Sequence, residues 1–219
     1  MRFPKAKVTS KRFDADCAKC PRLVRLRHKL RSQHPGYHCA PVSAFGSPDA
    51  KLLVVGLAPG LHGANATGRP FTGDHAGEML YATLFDYGFA NDRRSMRPGD
   101  GLELINCRIT NAVQCLPPAN KPTAMEIATC NVYLQAEIDE SPQIRVIVAL
   151  GAIAHGAVLR ACGRRRSRFR FRHGSTHRLD AGLWLVDSYH CSRYNTQTGR
   201  LTRNMFNDVF EHARTLLAQ

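Results

Sequence analysis

The sequence predicts an α/β fold, a three-layer α/β/α sandwich with a central, mostly parallel sheet. Three observations predict it. Apolar runs of strand length recur along the chain, segments of helical periodicity separate them, and Val146-Ile147-Val148-Ala149-Leu150 is continuously apolar, as in a strand covered on both faces. Strand and helix in alternation call for parallel strands joined by helical crossovers. At 219 residues the chain can bury a full core, and it reads as a single domain over 1–219, with a basic N-terminal arm at 1–16 and a cysteine-bearing segment at 17–20.

In chain order, Cys17-Ala18-Lys19-Cys20-Pro21 comes first, with two thiols spaced to grip one metal from a single turn. Residues 23–30 form a short helix whose Arg22, Arg25, Arg27, Lys29 and Arg31 are either a solvated face or part of a phosphate-binding surface. Residues 32–50, rich in His, Pro, Gly and Ser, read as a loop. A strand at 51–55 leads into the long loop 56–74. Met79, Leu80, Thr83, Leu84 and Tyr87 then share one face of a helix at about 77–89. The polar run 91–100 connects to a second apolar segment, 102–113, and to a proline-stiffened loop at 115–122. Thr123 followed three residues later by Glu126 is a capping box, so a helix starts there with Ile127, Leu134 and Ile138 inward and Cys130 on its second turn.

The strand at 145–151 is followed by a helix at 152–160. Residues 160–173 interleave Arg164, Arg165, Arg166, Arg168, Arg170 and Arg172 with Phe169 and Phe171. That alternation reads as an exposed strand, either meeting a phosphate backbone or forming a solvated sheet edge. A strand at 183–187 runs into Ser188-Tyr189-His190, and a final helix at about 203–218 has Phe206, Val209, Phe210, Ala213 and Leu217 at helical spacing.

Composition narrows the partner. The 31 Lys and Arg residues against 17 Asp and Glu give a formal charge of +14, which points to a polyanion, with nucleic acid ahead of an acidic membrane surface. No 18-residue apolar run and no leading apolar segment is present, so an intracellular, cytoplasmic protein is expected, with no membrane partner. Eight cysteines in a reducing compartment suggest a metal centre or scattered core thiols rather than disulfides.

The loop 56–74 is where chemistry is expected. Its five glycines (Gly56, Gly60, Gly63, Gly68 and Gly73) allow close approach to a flat ligand, and Asn65, Phe71 and Asp74 can point into one pocket. In a parallel α/β sheet, ligands sit beyond the carboxyl ends of the strands. The loop, Asn111 and His190 all fall there.

The segments Gly56-Leu57-Ala58-Pro59-Gly60 through Arg69-Pro70-Phe71-Thr72-Gly73-Asp74, Thr110-Asn111-Ala112-Val113-Gln114-Cys115, and His190-Cys191-Ser192-Arg193-Tyr194-Asn195-Thr196 resemble the uracil-DNA glycosylase superfamily, in its iron-sulphur type B branch, family 5. The resemblance covers roughly residues 17–215. It implies a monofunctional hydrolase that cuts the N-glycosidic bond of uracil, and of other deaminated bases, in DNA, the first step of base excision repair. By resemblance, Phe71 stacks on the extruded base, Asn111 reads its Watson–Crick edge, Gly56, Ala58 and Gly60 line the substrate pocket, and His190 stabilises the developing anion. Leu57 occupies a position that is acidic or amide in many relatives, which moves water activation to Asp74, with Asn65 as a second candidate for holding water or phosphate. Asp74 is also placed as a helix N-cap, and both roles are compatible.

Arg193, Tyr194 and Asn195 then fall at the tip that wedges into the duplex, and Arg168 and Arg170 in the basic segment contact its backbone. Cys17, Cys20, Cys115 and Cys130 match the superfamily's pattern for a 4Fe-4S cluster, although four thiolates also suit zinc. Cys191 stands where most relatives have proline. A monomer acting on uracil-containing DNA is expected; the alternative is a non-catalytic, metal-stabilised nucleic-acid-binding module, which leaves the convergence of Phe71, Asp74, Asn111 and His190 unexplained.

Overall fold

A computed structural model describes residues 12–219. The basic arm assigned to 1–16 falls mostly outside the described residues. Six strands form one sheet in the order β1-β3-β2-β4-β6-β5, where β1 is Phe45–Gly46, β2 Leu52–Gly56, β3 Cys107–Asn111, β4 Val146–Leu150, β5 Thr176–Asp180 and β6 Leu183–Ser188. The central four are parallel, and the two edge strands run antiparallel.

Period-two alternation along the buried strands builds the three layers. Leu52, Val54, Ile109, Val146, Val148, Leu150 and Val186 face α3 (His75–Asp86) and α7 (Arg203–Leu217), packing on Leu80, Leu84, Phe206 and Phe210. Leu53, Val55, Ile147, Ala149 and Leu185 face the other way, onto α4 (Ala124–Asp139) and α5 (Ala152–Ala161), where they meet Leu134, Ala154 and Val158. The capping box at the start of α4 is present, with Thr123 accepting from the Glu126 amide and Glu126 accepting from the Thr123 amide. Among the described residues no helix is long and apolar enough to cross a membrane.

Several expectations need correction. The basic helix after Cys20 is longer than expected, α1 at Pro21–Gln33, because Pro21 opens it at N1. The third helix begins at His75 rather than Gly77 and ends at Asp86, because Asp74 caps it. Of the apolar segment 102–113 only Cys107–Asn111 is strand. Residues 164–173 are not a strand: they form a short 3-10 turn at Arg166–Arg168 and irregular chain, and the edge position is taken by β5, whose polar sequence Thr176-His177-Arg178 masks it. The Phe-in, Arg-out alternation survives, since Phe169 and Phe171 are half-buried and Arg168, Arg170 and Arg172 exposed. Residues Ala64–Thr67 and Arg193–Gln197 form short helices, α2 and α6, inside loops.

Candidate active site

Register aligns the strand ends. Gly56 pairs with Asn111 across β2 and β3, and Leu150 with Ser188 across β4 and β6, so both loop entries and His190 leave the sheet at one edge. A Cβ on Gly56 would lie 2.4 Å from Asn111 Oδ1 and 2.6 Å from Phe71 Cζ. Only a residue without a side chain lets the amide and the ring close on the strand end together.

Phe71 is held in a conformation that side chains rarely adopt, with φ +53°. Its carbonyl tucks against Gly77, where any Cβ would stand 1.8 Å from Phe71 O. Arg69 fixes the same turn from below. Its guanidinium, in a residue only 6% exposed, takes Asp100 in both carboxylate oxygens at 2.9 and 2.6 Å, Ser95 Oγ at 2.7 Å and Thr72 Oγ1 at 3.0 Å. Tyr81 Oη donates to Pro70 O at 2.8 Å. Asp100 also accepts the amides of Met96, Arg97 and Leu102, and the Arg69 guanidinium holds its carboxyl far below the usual range. Arg69 and Asp100 did not stand out in the sequence; a charged residue inside an otherwise small and apolar motif was the available signal.

The Phe71 and His190 rings lie 6.0 Å apart at 28°. Burial without an acidic partner pushes the His190 pKa down to about 4, so the ring is neutral at physiological pH. Asn111 is 5% exposed, and its Oδ1 is buried without a hydrogen-bond partner. In a buried amide this is costly, and it marks an acceptor waiting for a donor. Asp74 accepts the Gly77 amide through Oδ1 at 2.9 Å, the N-cap bond. Its other oxygen rests on backbone, 2.2 Å from the position a Cβ would take on Gly63 and 3.4 Å from that on Gly60. Desolvation raises the Asp74 pKa above the ordinary carboxylate value, partly opposed by the Gly77 and Ala76 amides.

The loop after β6 packs on the start of α3. His75 Nε2 and Thr196 Oγ1 are 2.9 Å apart, and fully buried Cys191 sets its thiol 3.4 Å from Ala76 O. Asn195, expected at the DNA, instead donates its amide to His190 O at 2.8 Å, which fixes the backbone of the histidine. Tyr194 beside it is 70% exposed, and Arg193 is also exposed. Asn65 is buried, and its amide donates to Cys39 Sγ at 3.5 Å, while its carbonyl accepts the Cys39 amide at 3.0 Å. Those bonds tie Asn65 to loop 34–42. Ala58 packs toward the cysteines.

Cys17, Cys20, Cys115 and Cys130 line one pocket with Leu23, Val113 and Tyr133. Arg27 donates to Cys17 O at 3.2 Å and faces Cys115, while the Gln114 amide lies 3.3 Å from Cys130 Sγ. Arg27 Nε is buried without a partner, again a donor facing the thiols. Burial pushes the Cys115 and Cys130 pKa values up to about 11 and about 12. Four thiols on one pocket are a donor set that suits either a 4Fe-4S cluster or a zinc ion.

Fold and site together define an α/β protein that gathers an aromatic face, an amide, a carboxylate and a neutral imidazole at the carboxyl edge of a parallel sheet. The chain belongs to the uracil DNA glycosylase superfamily, whose family model matches residues 43–214. It is 46% identical over 205 residues to a type-5 uracil-DNA glycosylase of Thermus thermophilus, covering 91% of this chain and 93% of that one. It is 41% identical to a type-5 uracil-DNA glycosylase of Pyrobaculum aerophilum over 90% of this chain and 88% of that one. A type-4 uracil-DNA glycosylase of the same organism is 34% identical over 70% of this chain and 64% of its own length.

Proposed function

We propose that the protein hydrolyses the N-glycosidic bond of uracil in DNA, and of other deaminated bases, as the first step of base excision repair. What supports this most is the unpartnered Asn111 Oδ1, buried at the Gly56 strand end beside the Phe71 ring. Uracil supplies the missing partner. Its N3–H donates to Oδ1 while the amide nitrogen donates to O4, and the flipped amide would suit cytosine instead. The base must leave the stack for its glycosidic carbon to be reached, and Phe71 offers the face on which it then rests.

In the reaction, the oxygen of a water bonds the sugar C1′ and the C1′–N1 electron pair leaves with the base. Asp74 orients that water and, as the carboxylate, takes its proton. Neutral His190 donates an N–H to the developing anion at O2, a role that an imidazole with its pKa near 4 fills without first binding a proton. Asn65 and Asn195 hold the two loops, and Gly56, Ala58 and Gly60 bring backbone close to the base. Exposed Arg168, Arg170, Arg193 and Tyr194 meet the DNA, with Tyr194 placed to fill the gap left in the duplex.

Cys17, Cys20, Cys115 and Cys130, which line one pocket, would hold a 4Fe-4S cluster, in keeping with the resemblance of their spacing to the iron-sulphur branch, with zinc as the alternative. The cluster supplies a cross-link: it ties the start of α1 to the loop after Asn111 and to α4. The protein is proposed to act as a cytoplasmic monomer. Incubation with a uracil-containing duplex followed by alkali should give strand scission, and Asp74→Ala should abolish most of it. A wild-type protein that binds the duplex and never yields scission sinks the reading. Iron and acid-labile sulfide in the purified protein, lost in Cys115→Ser, test the cluster separately.

A further inference from the structure

Beneath the arginine-rich segment lies a polar group in the middle of an apolar core. Asp187, on β6 three residues before His190, is fully buried and uses every polar atom it has. Oδ1 lies 2.7 Å from His155 Nδ1, and Oδ2 3.0 Å from His177 Nε2. Its backbone carbonyl accepts the Gly174 amide at 2.8 Å, and its amide donates to Ser175 O at 2.9 Å. His155, equally buried on α5, has its second ring nitrogen 2.9 Å from Phe169 O.

Both nitrogens of His155 are therefore engaged, one by the Asp187 carboxyl group and one by the Phe169 backbone carbonyl. The result is a buried His155–Asp187 pair with His177 at the remaining carboxyl oxygen, so that the polar atoms of the group are paired inside the core. The two phenylalanines of the basic segment rest on this group: Phe171 meets the His155 ring edge-on at 5.6 Å, and Phe169 meets that of His177 at 5.8 Å. The anchored phenylalanines turn Arg168, Arg170 and Arg172 outward. The same segment then reaches the catalytic end of β6. His173 Nδ1 accepts the Tyr189 amide at 3.0 Å and its ring stacks on Tyr189 at 5.0 Å, one residue before His190.

We propose that Asp187, held by His155 and His177, is a positioning residue that couples phosphate binding by segment 164–173 to the placement of His190. A buried polar group of this kind is weak support for stability by itself, since apolar residues of similar volume often replace one without loss. The Asp187 carboxyl group ties α5 to β5 while its backbone bonds Gly174 and Ser175, directly after the basic segment, and together these contacts fix the register between the phosphate-binding surface and the strand end. The proposal rests on the reading of His190 as the group at the leaving base, and two of its tests do not depend on excision.

The first is the spectroscopic signature. Ring 15N spectra of the full-length protein should show slowly exchanging, hydrogen-bonded ring protons on His155 and His177 that exchange faster in Asp187→Asn; ring protons that exchange freely in the wild type overturn the proposal. The second is the slope of log Kd against log salt for an undamaged duplex. Asp187→Asn should lower its magnitude by about 1 to 2, roughly one for each phosphate that the displaced arginines no longer neutralise. The third is single-turnover excision of uracil, which should fall about 100-fold in the same variant, as for a misplacement near 1 Å. Folded Asp187→Asn with unchanged slope and unchanged excision rate refutes the coupling. If Asp187→Asn fails to fold, Phe171→Leu, which leaves the buried pair intact, should still lower the salt slope, and an unchanged slope refutes the coupling as well. Zinc retained at one per protein and lost in His155→Gln also overturns it, because the three side chains would then be metal ligands. Absent excision by the wild-type protein would instead remove the catalytic reading and leave the first two tests standing.

Discussion

Gly56→Ala isolates base recognition from the rest of the protein. Gly56 ends β2 with ordinary extended backbone, so alanine suits the strand, and the consequence is purely one of space. The new methyl would stand 2.4 Å from Asn111 Oδ1 and 2.6 and 2.7 Å from two Phe71 ring atoms, about 1 Å inside ordinary contact at 3.4 Å. Asn111 cannot retreat, because it is hydrogen-bonded into the β2–β3 ladder, and Phe71 is locked between Gly77 and the Arg69–Asp100 pair. The overlap is therefore shared by the amide and the ring, each displaced by a good fraction of an ångström. Overpacking of this kind costs about 1–3 kcal/mol of stability. A misplacement near 1 Å in the recognition geometry costs about 100-fold in rate, or about 2.7 kcal/mol of transition-state stabilisation. The assay is single-turnover excision from a uracil duplex, run beside thermal unfolding. Wild-type excision by a Gly56→Ala protein of normal stability would refute the claim that Asn111 and Phe71 form the base site.

Asp74 carries two roles that substitution separates. Asp74→Asn keeps an acceptor for the Gly77 amide and should unfold within a few tenths of a kcal/mol of wild type while losing about 10²- to 10⁴-fold in excision; Asp74→Ala should in addition lose about 1 kcal/mol of stability by denaturant titration. Because burial raises the Asp74 pKa, the acidic limb of the excision profile should lie above the ordinary aspartate value of 3.8 and vanish in Asp74→Asn. His190 falls from an ordinary 6.5 to about 4, so between those values the unfolded chain binds a proton that the folded protein refuses. Stability should accordingly decline as pH drops from 6.5 to 4, and the melting temperature of His190→Asn should gain on wild type across that window; parallel curves would contradict the assignment. Asp100→Asn strands the Arg69 guanidinium, 6% exposed, beside a neutral amide. The expected loss is about 3 kcal/mol, the low end for breaking a buried pair, because the Asp100 side chain keeps 14% of its surface in water. Excision should fall with it, since the pair frames Phe71, and a loss under 1 kcal/mol in urea would show that water screens the pair.

Much of the architecture was legible because it depends on local pattern. Continuous apolar strands, the Thr123–Glu126 capping box and the periodicity of α7 are each written in one short window, and each stands in the structure near its expected place. The edges were not legible. β5 is polar, and β1 has only two residues, so neither shows the burial that makes a central strand readable. The Arg/Phe alternation at 164–173 has the period of a strand for a different reason: its phenylalanines are drawn onto His155 and His177 rather than onto a sheet.

By itself the sequence determined the layer order and the strand ends from which Gly56, Asn111 and His190 emerge. Only the tertiary structure decided which polar side chains are free for chemistry. Asn65 is occupied by Cys39 and Asn195 by His190 O, while Asn111 keeps an unpaired oxygen. The reason is physical. Apolar periodicity is a property of neighbours along the chain, whereas the state of a polar group depends on what the fold places within about 3 Å of it, and those partners come from anywhere in the sequence.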